Sequence, residues 1–260
     1  MRKGIRPGTL ALLLGAAAAE VHAAGGRGFS LSVMVGGEPR PEYAARGAVY
    51  VEALRGVPYA LRLTNPFPQR VAAALSVDGL NTIDARRTSA SEARKWVIEP
   101  YGSITIPGWQ VSGSAARAFF FTGEKRSYGA SLSQTENLGV IEAVFYRERA
   151  PVPAAEAPAG PDAPFRLGIR RDAAPEPRNQ AKSSDALSDD FAATGMGGRR
   201  GHRVVEIALD LDPEPAARVR IRYEFRPQLA ALGVVPGARD PLARREGASG
   251  FDRFCPEPDR

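Results

Sequence analysis

Cysteine and histidine are almost absent from this chain of 260 residues, which contains one cysteine, Cys255, and two histidines. One cysteine excludes an intramolecular disulfide and a zinc site built from thiolates. His22 lies in the N-terminal segment described below, so His202 is left to serve acid–base chemistry, and it follows a glycine beside a polar stretch. No nucleophile elbow, phosphate-binding loop or dinucleotide fingerprint accompanies it. We therefore expect no catalytic residue, no bound metal and no cofactor.

Lysine and long apolar runs are also scarce. Only Lys3, Lys95, Lys125 and Lys182 stand among the 35 basic residues. The net charge of +6 falls by two, to +4, when residues 1–23 are left out with their three basic side chains and one glutamate. A charge of that size serves solubility and does not indicate a nucleic-acid partner. No segment after residue 23 approaches the ~20 apolar residues that span a membrane, so we expect no membrane span.

The first 23 residues are typical of a signal peptide. Arg2, Lys3 and Arg6 form a positive start, and Leu10–Ala19 is a short apolar run. Val21-His22-Ala23 then has the small or apolar residues that a signal peptidase accepts. We expect cleavage before Ala24 and a periplasmic or secreted protein.

Residues 29–149 are a succession of short apolar or alternating segments separated by glycine and proline. Such a pattern predicts strands joined by turns. The gap Arg55-Gly56-Val57 has the size of a hairpin loop, and Asp78-Gly79 is typical of a turn. The predicted strands are 29–35, 47–54, 58–64, 70–78, 95–99, 103–106, 117–122 and 140–147. Their number and spacing predict an all-β fold, an antiparallel β-sandwich of jelly-roll or immunoglobulin-like kind.

The remaining residues divide into three parts. Residues 150–202 are Pro/Ala-rich and polar, a composition that predicts a flexible insertion. Residues 203–235 return to the same domain as a β-hairpin, with strands 203–211 and 217–225, followed by a helical turn. In the second of these strands, alternation places Ile221 toward the core and Arg220 and Arg222 toward water. Residues 236–260 are predicted to be a disordered tail.

Several short motifs occur in order along the chain: VDGLN at 77–81, KWVIEP at 95–100, IPGWQ at 106–110, NLGVI at 137–141 and IRYEF at 221–225. In these motifs the chain resembles a family of uncharacterised bacterial β-rich proteins without an established activity. The resemblance covers roughly residues 47–149 and 203–235. It implies a β-rich fold and carries no functional residue.

The carboxylates suggest two kinds of chemical site, a calcium site and a glycosidase active site. Asp78, Asn81 and Asp84 offer oxygen ligands for calcium, but the loop lacks the acidic density and distal glutamate of a calcium-binding loop, and these residue types are common in turns. A glycosidase needs two carboxylates flanking one groove. The sequence offers Asp84, Glu99, Glu124 and Glu136, and no spacing selects a pair.

Aromatic and basic residues near the predicted turns form the more suggestive set. Exposed rings can stack on sugars or contact a protein, although core packing is the default role of such residues, because a sandwich needs large side chains between its sheets. The candidate binding residues are Asn81, Asp84, Arg87, Lys95, Trp96, Trp109 and Tyr128, on loops around residues 79–95, 100–116 and 123–137. The leading hypothesis is a non-catalytic extracytoplasmic binding or protein-interaction module, with a protein or polysaccharide of the cell envelope as partner. The alternative is a hydrolase acting on envelope polysaccharide. The oligomeric state stays open.

Overall fold

The computed structural model describes residues 24–26, 28–149 and 187–236, which form two packed β-sheets. The first sheet has the central order β1-β2-β6-β12-β11, with β3 beside β2, β10 beside β6 and β14 beside β12. Its strands are β1 Ala24–Gly26, β2 Phe29–Val35, β3 Glu38–Pro39, β6 Pro58–Thr64, β10 Ser103–Ile106, β11 Gly108–Ser112, β12 Ala115–Gly123 and β14 Ala192–Gly201.

The second sheet has the order β4-β5-β15-β13-β7-β8, with β9 beside β7. Its pairs are antiparallel except for β5 and β15, which run parallel. Its strands are β4 Glu42–Ala45, β5 Ala48–Ala53, β7 Val71–Val77, β8 Leu80–Asn81, β9 Trp96–Ile98, β13 Val140–Arg147 and β15 Ala217–Phe225. Two short α-helices, α1 Tyr128–Ser131 and α2 Arg226–Ala231, lie outside the sheets.

The core lies between the two sheets and follows the alternation of each strand. In β15, Val219, Ile221 and Tyr223 are buried, whereas Arg218 and Arg220 on the opposite face are exposed. Successive side chains of a strand point to opposite faces, so one apolar face per sheet is enough to build a common core. Phe29 and Leu61 of the first sheet and Phe145 and Ile221 of the second belong to one continuous cluster. The all-β sandwich predicted from the sequence is confirmed.

The predicted strands between residues 29 and 149 are all present, but one predicted pairing is wrong. The segment Arg55-Gly56-Val57 joins β5 to β6, and these strands belong to different sheets. The short loop carries the chain across the core instead of closing a hairpin. Length alone suggested a hairpin, whereas both strands find their partners elsewhere: β5 pairs with β4 and β15, and β6 pairs with β2, β10 and β12.

The predicted boundary of the insertion at residue 202 is also wrong, because residues 192–201 form β14. This strand pairs antiparallel with β12 over nearly its whole length. Its glycines explain why composition concealed it. A Cβ at Gly195 would lie 2.3 Å from the ring of Phe120, so the strand uses a residue without a side chain to fit against a large neighbour.

The predicted hairpin of 203–211 with 217–225 is wrong in its first strand. Ala217–Phe225 is β15 as predicted, but β15 pairs with β13 and β5. Residues 203–210 are not in a strand, and only Leu211 makes an isolated bridge, to Glu148. In the predicted strand 203–211, alternation with Glu206 would place Val205 and Ile207 toward the core, but they are 78% and 52% exposed. The predicted helical turn is confirmed as α2.

The predicted signal peptide, the predicted insertion from residue 150 to 186 and the predicted tail beyond residue 236 lie outside the described residues. Within the described part, no helix is long and apolar enough to cross a membrane.

Candidate functional site

The structure places the two tryptophans in the interior. Trp109 is 2% exposed, packs edge-on against Phe119 and donates from Nε1 to the carbonyl oxygen of Gly195. Trp96 is 9% exposed and donates to the hydroxyl of Thr82. Tyr128 packs beside Trp109 at a ring distance of 4.9 Å. Trp109 is therefore part of the core and presents no stacking surface to a ligand from solution.

The four remaining candidates lie on the loop of residues 82–95 or at the end of β8, which precedes it. Asn81 at its start is buried, accepts from the backbone amide of Ile83 and donates to the carbonyl of Arg94, which closes the loop. Asp84 is exposed and accepts from the amide of Arg86, the ordinary role of Asp in a turn. Lys95 donates to two carbonyl groups of the same loop, and burial lowers its pKa. Asn81, Asp84 and Lys95 shape the loop, and Arg87 projects from it.

An open groove of about 1570 Å³ lies on the outer face of the second sheet, and we call it the basic groove. Its floor consists of outward-facing residues of β7 and β13, including Ser76, Val140 and Glu142. One side is the loop of residues 86–93, and another contains residues 136–138. The arginines that line it are Arg86, Arg87, Arg220 and Arg222.

Two of the three carboxylates that line the basic groove are engaged by arginines, and the third, Glu92, accepts from the hydroxyl of Ser89. Glu136 accepts from Arg87 at 2.6 Å, and one oxygen of Glu142 accepts from both Arg220 at 2.8 Å and Arg218 at 3.2 Å. The guanidinium groups of Arg86 and Arg222 make no hydrogen bond or ion pair with the described part of the chain. The groove therefore offers two unpaired cationic groups beside a neutralised network.

A chain of buried hydrogen bonds crosses the core close to the basic groove. Asp78, at the turn after β7, accepts from the hydroxyl of Tyr223 at 2.5 Å and from the amides of Gly139 and Thr194. The hydroxyl of Thr194 lies 2.7 Å from the hydroxyls of both Tyr223 and Tyr59. When Asp78 is ionised it can only accept, so Tyr223 donates to Asp78, Thr194 donates to Tyr223 and Tyr59 donates to Thr194. The chain joins strands of both sheets.

Burial dominates the titration of these groups. It raises the pKa of Asp78 to about 7, although its hydrogen bonds act in the opposite direction. Burial also raises the pKa of Tyr59 and Tyr223. Glu224, which accepts from the amide of Ala192, has its pKa raised by burial as well. Asp78 has 2% of its surface exposed, so its proton is sealed from any ligand in the groove.

A second depression of about 850 Å³ lies along β9, β10 and β11, beside residues 202–207, and we call it the edge groove. His202 lies in it, with Nδ1 2.7 Å from the side-chain oxygen of Gln110 and its ring 5.6 Å from that of Trp96. Burial lowers the pKa of His202. The imidazole is therefore half-buried and neutral at pH 7, and its described contacts include no carboxylate to orient it as a base.

The four carboxylates considered for hydrolysis are held by separate local contacts. Glu99 pairs with Arg70, and Glu124 accepts from the amide of Ser188. Glu136 pairs with Arg87, and Asp84 caps its own turn. Among the described residues, no three His, Cys, Asp or Glu side chains are grouped to hold a metal ion.

Sequence reasoning overlooked Asp78 as part of a buried network, because its partners at positions 59, 194 and 223 are distant in the chain. It did identify Arg220 and Arg222 as outward-facing, through the alternation of β15. Comparison of the chain with protein-family models, curated proteins and solved structures finds no match. The resemblance to uncharacterised β-rich proteins stays a prediction.

Proposed function

We propose that this protein is a non-catalytic extracytoplasmic binding module whose ligand surface is the basic groove. The observation that carries the proposal is the open groove with two unpaired guanidinium groups, Arg86 and Arg222, above a floor of short polar and aliphatic side chains. Arginine presents a planar fork of donors that matches carboxylate or sulfate oxygens. The groove therefore fits an anionic ligand.

The residues that line the basic groove restrict the class of ligand further. They contain no aromatic ring, so stacking on neutral sugar rings has no platform there. They do contain hydroxyl and amide groups, among them Ser76, Ser89 and Asn137, that can bind sugar hydroxyls. An acidic polysaccharide of the cell envelope satisfies both the arginines and these neutral polar groups, and we infer that it is the ligand.

The ion-paired carboxylates favour binding over hydrolysis. A glycosidase requires one carboxylic acid and one carboxylate converging on the same bond. In the basic groove, Glu136 and Glu142 are each fixed by arginines, and the one carboxyl group whose pKa is raised to about 7, that of Asp78, points into the core. These contacts support a surface that holds its ligand without cleaving it.

Binding measured by titration calorimetry against an acidic and a neutral polysaccharide tests the proposal. We expect binding of the acidic polymer alone, weakened by salt, and weakened about tenfold or more by Arg222→Glu or Arg86→Glu. Arg62→Glu is the matched control, because Arg62 is an exposed arginine in the middle of a strand of the first sheet. Equal losses in the Arg62 and Arg222 variants, or binding of the neutral polymer, would overturn the proposal.

A further inference from the structure

The segment of residues 204–210 is the most regular alternating sequence in the chain, yet it has no strand partner. The amide of Val204 donates to Gly113, and the carbonyl of Asp210 accepts from Arg149. Between these anchored ends, residues 205–209 make no backbone hydrogen bond with the described chain. The stretch contains no helix, turn or bend, and backbone amides and carbonyls without a partner in the described chain can pair with another strand.

The same segment contains the two most exposed large aliphatic side chains of the described chain. Val205 is 78% and Ile207 is 52% exposed, and both line the edge groove with Val111, which is 48% exposed. Grouped apolar side chains of this kind mark an interaction site. An aliphatic residue at every second position, Val205, Ile207 and Leu209, suits a partner that adds a strand, because these side chains would lie on the same face.

We propose that this segment is a dimerisation edge, at which residues 204–210 of one copy pair antiparallel with the same residues of a second copy. Residues directly opposite in an antiparallel pair share a face, so the odd-numbered apolar residues must face one another. The register that centres on Ile207 places Ile207 opposite the partner's Ile207 and Val205 opposite the partner's Leu209.

Charge favours this register over its neighbours. Glu206 and Asp210 are ion-paired at the surface to Arg94 at 2.9 Å and to Arg149 at 3.4 Å, and exposed pairs of this kind neutralise a charge only in part. Shifting the centre to Glu206 would place two glutamates face to face, and shifting it to Ala208 would place Glu206 opposite the partner's Asp210. Like charges directly opposite are destabilising. In the register centred on Ile207, Glu206 faces the partner's Ala208 and Asp210 faces the partner's Val204, so no charge meets its like. The segment is complementary to itself in both pattern and charge.

Because the dimerisation edge is short, we expect the dimer to be weak. A strand pair of about seven residues buries less surface than a standard interface, so the dimer should dissociate on dilution. Sedimentation equilibrium of the full chain with Cys255→Ser, which removes the native thiol, should show a monomer–dimer equilibrium. A monomer at every concentration overturns the proposal, including the case in which another segment of the same chain covers the edge.

Charge placed at the centre of the two-fold tests the register. Ile207→Glu should weaken dimerisation about tenfold or more, because it sets two carboxylates opposite each other. Ile207→Lys should do the same, and mixing the two variants should restore a heterodimer. Tyr101→Glu is the control, since Tyr101 is 71% exposed and lies far from the segment in sequence. Dimers that survive Ile207→Glu, or a mixture that does not associate, would show the edge to be wrong.

Cysteine cross-linking provides an independent readout in the same Cys255→Ser background. Ile207→Cys should form a disulfide between copies on mild oxidation, because opposite residues of an antiparallel pair bring their Cβ atoms close enough. Ala208→Cys should not, because its counterpart lies two residues away along the partner strand. Cross-linking through position 208 in preference to position 207 contradicts the proposed register.

Discussion

Asp78 is the residue in which local conformation, burial and hydrogen bonding meet. Its φ of 54° is in the left-handed region, which Asp and Asn adopt more readily than most residues, and Gly79 follows with φ 77°. This is the turn that the sequence predicts from Asp-Gly, and it joins β7 to β8. The turn directs the carboxyl group inward, where it collects three donors from three other segments.

The raised pKa of Asp78 predicts a pH-dependent contribution to stability. The folded value of about 7 lies above the ordinary value of 3.8, so the folded chain retains a proton that the unfolded chain releases. This contribution is fully present below about pH 4 and is lost as the pH rises to about 7, with a size on the order of 4 kcal/mol. Urea denaturation across this range should show that Asp78→Asn removes that part of the slope.

Asparagine is a suitable replacement because it tolerates the left-handed backbone and cannot titrate. Its amide nitrogen cannot accept the proton of a backbone N–H, so Asp78→Asn should also lower the stability by about 1–3 kcal/mol at low pH. Asp84→Asn serves as the control, since Asp84 is an exposed carboxyl group at another turn and should leave the slope in place. Parallel pH profiles for the wild type and Asp78→Asn would contradict the prediction.

The direction of the buried chain predicts that its two tyrosines are not equivalent. Tyr223→Phe removes a donor from Asp78 and the acceptor of Thr194, whereas Tyr59→Phe removes only the donor to Thr194. Each buried polar group left without a partner costs about 1–3 kcal/mol. Tyr223→Phe should therefore destabilise more than Tyr59→Phe in urea denaturation at about pH 9, where Asp78, with its pKa of about 7, is ionised. Equal losses would mean that the protons do not run from Tyr59 toward Asp78.

At the scale of the element, β15 contributes one face to the core and the other face to the basic groove. Ile221 has none of its surface exposed, so Ile221→Ala should cost about 2–5 kcal/mol. Arg222→Ala removes an exposed side chain without an ion pair and should cost at most about 1 kcal/mol. Denaturation of both variants checks this order. If Arg222→Ala keeps its stability, a loss of binding in Arg222 variants reports on the groove and not on unfolding. A greater loss for the arginine variant would contradict the facing of the strand.

Alternation within a segment allowed the faces of β15 to be predicted, because an amphipathic strand in a sandwich has one buried side. Alternation does not say which strand is the neighbour. Residues 203–211 show the limit, since their pattern is as regular as that of β15 and yet the described chain supplies no partner for 205–209. The strand β14 shows the opposite case, in which small residues selected for close packing against Phe120 carry no apolar pattern.

For the candidate site, the surface position of single residues could be predicted from the sequence, but their grouping could not. Arg87, Arg220 and Arg222 could be placed on the surface from turn position and alternation. Their common position around one groove depends on the register of β13 against β7 and β15, which pairs Glu142 with Ser76 on one side and with Arg220 on the other. Such register is fixed by long-range packing and has no local signal in the sequence.

At the scale of the whole molecule, the two sheets share one core and one buried polar chain. Residues from both sheets belong to the same apolar cluster, and the hydrogen bonds from Tyr59 to Asp78 cross between them. Neither sheet retains a covered apolar face without the other. We therefore expect the described domain to unfold in a single cooperative transition.

The two tryptophans allow this expectation to be tested sheet by sheet. Trp109 belongs to β11 of the first sheet and Trp96 to β9 of the second, and each is the only tryptophan left when the other is replaced by Phe. In Trp96→Phe, fluorescence reports on the first sheet, and in Trp109→Phe on the second. Within each variant, the fluorescence and far-ultraviolet circular dichroism midpoints in urea should coincide, because loss of either sheet exposes the core of both. Each variant is its own control, since both signals come from the same sample and the cost of the substitution cancels. A fluorescence midpoint that precedes the circular dichroism midpoint in only one variant would show that its sheet unfolds first and that the shared core does not couple the two.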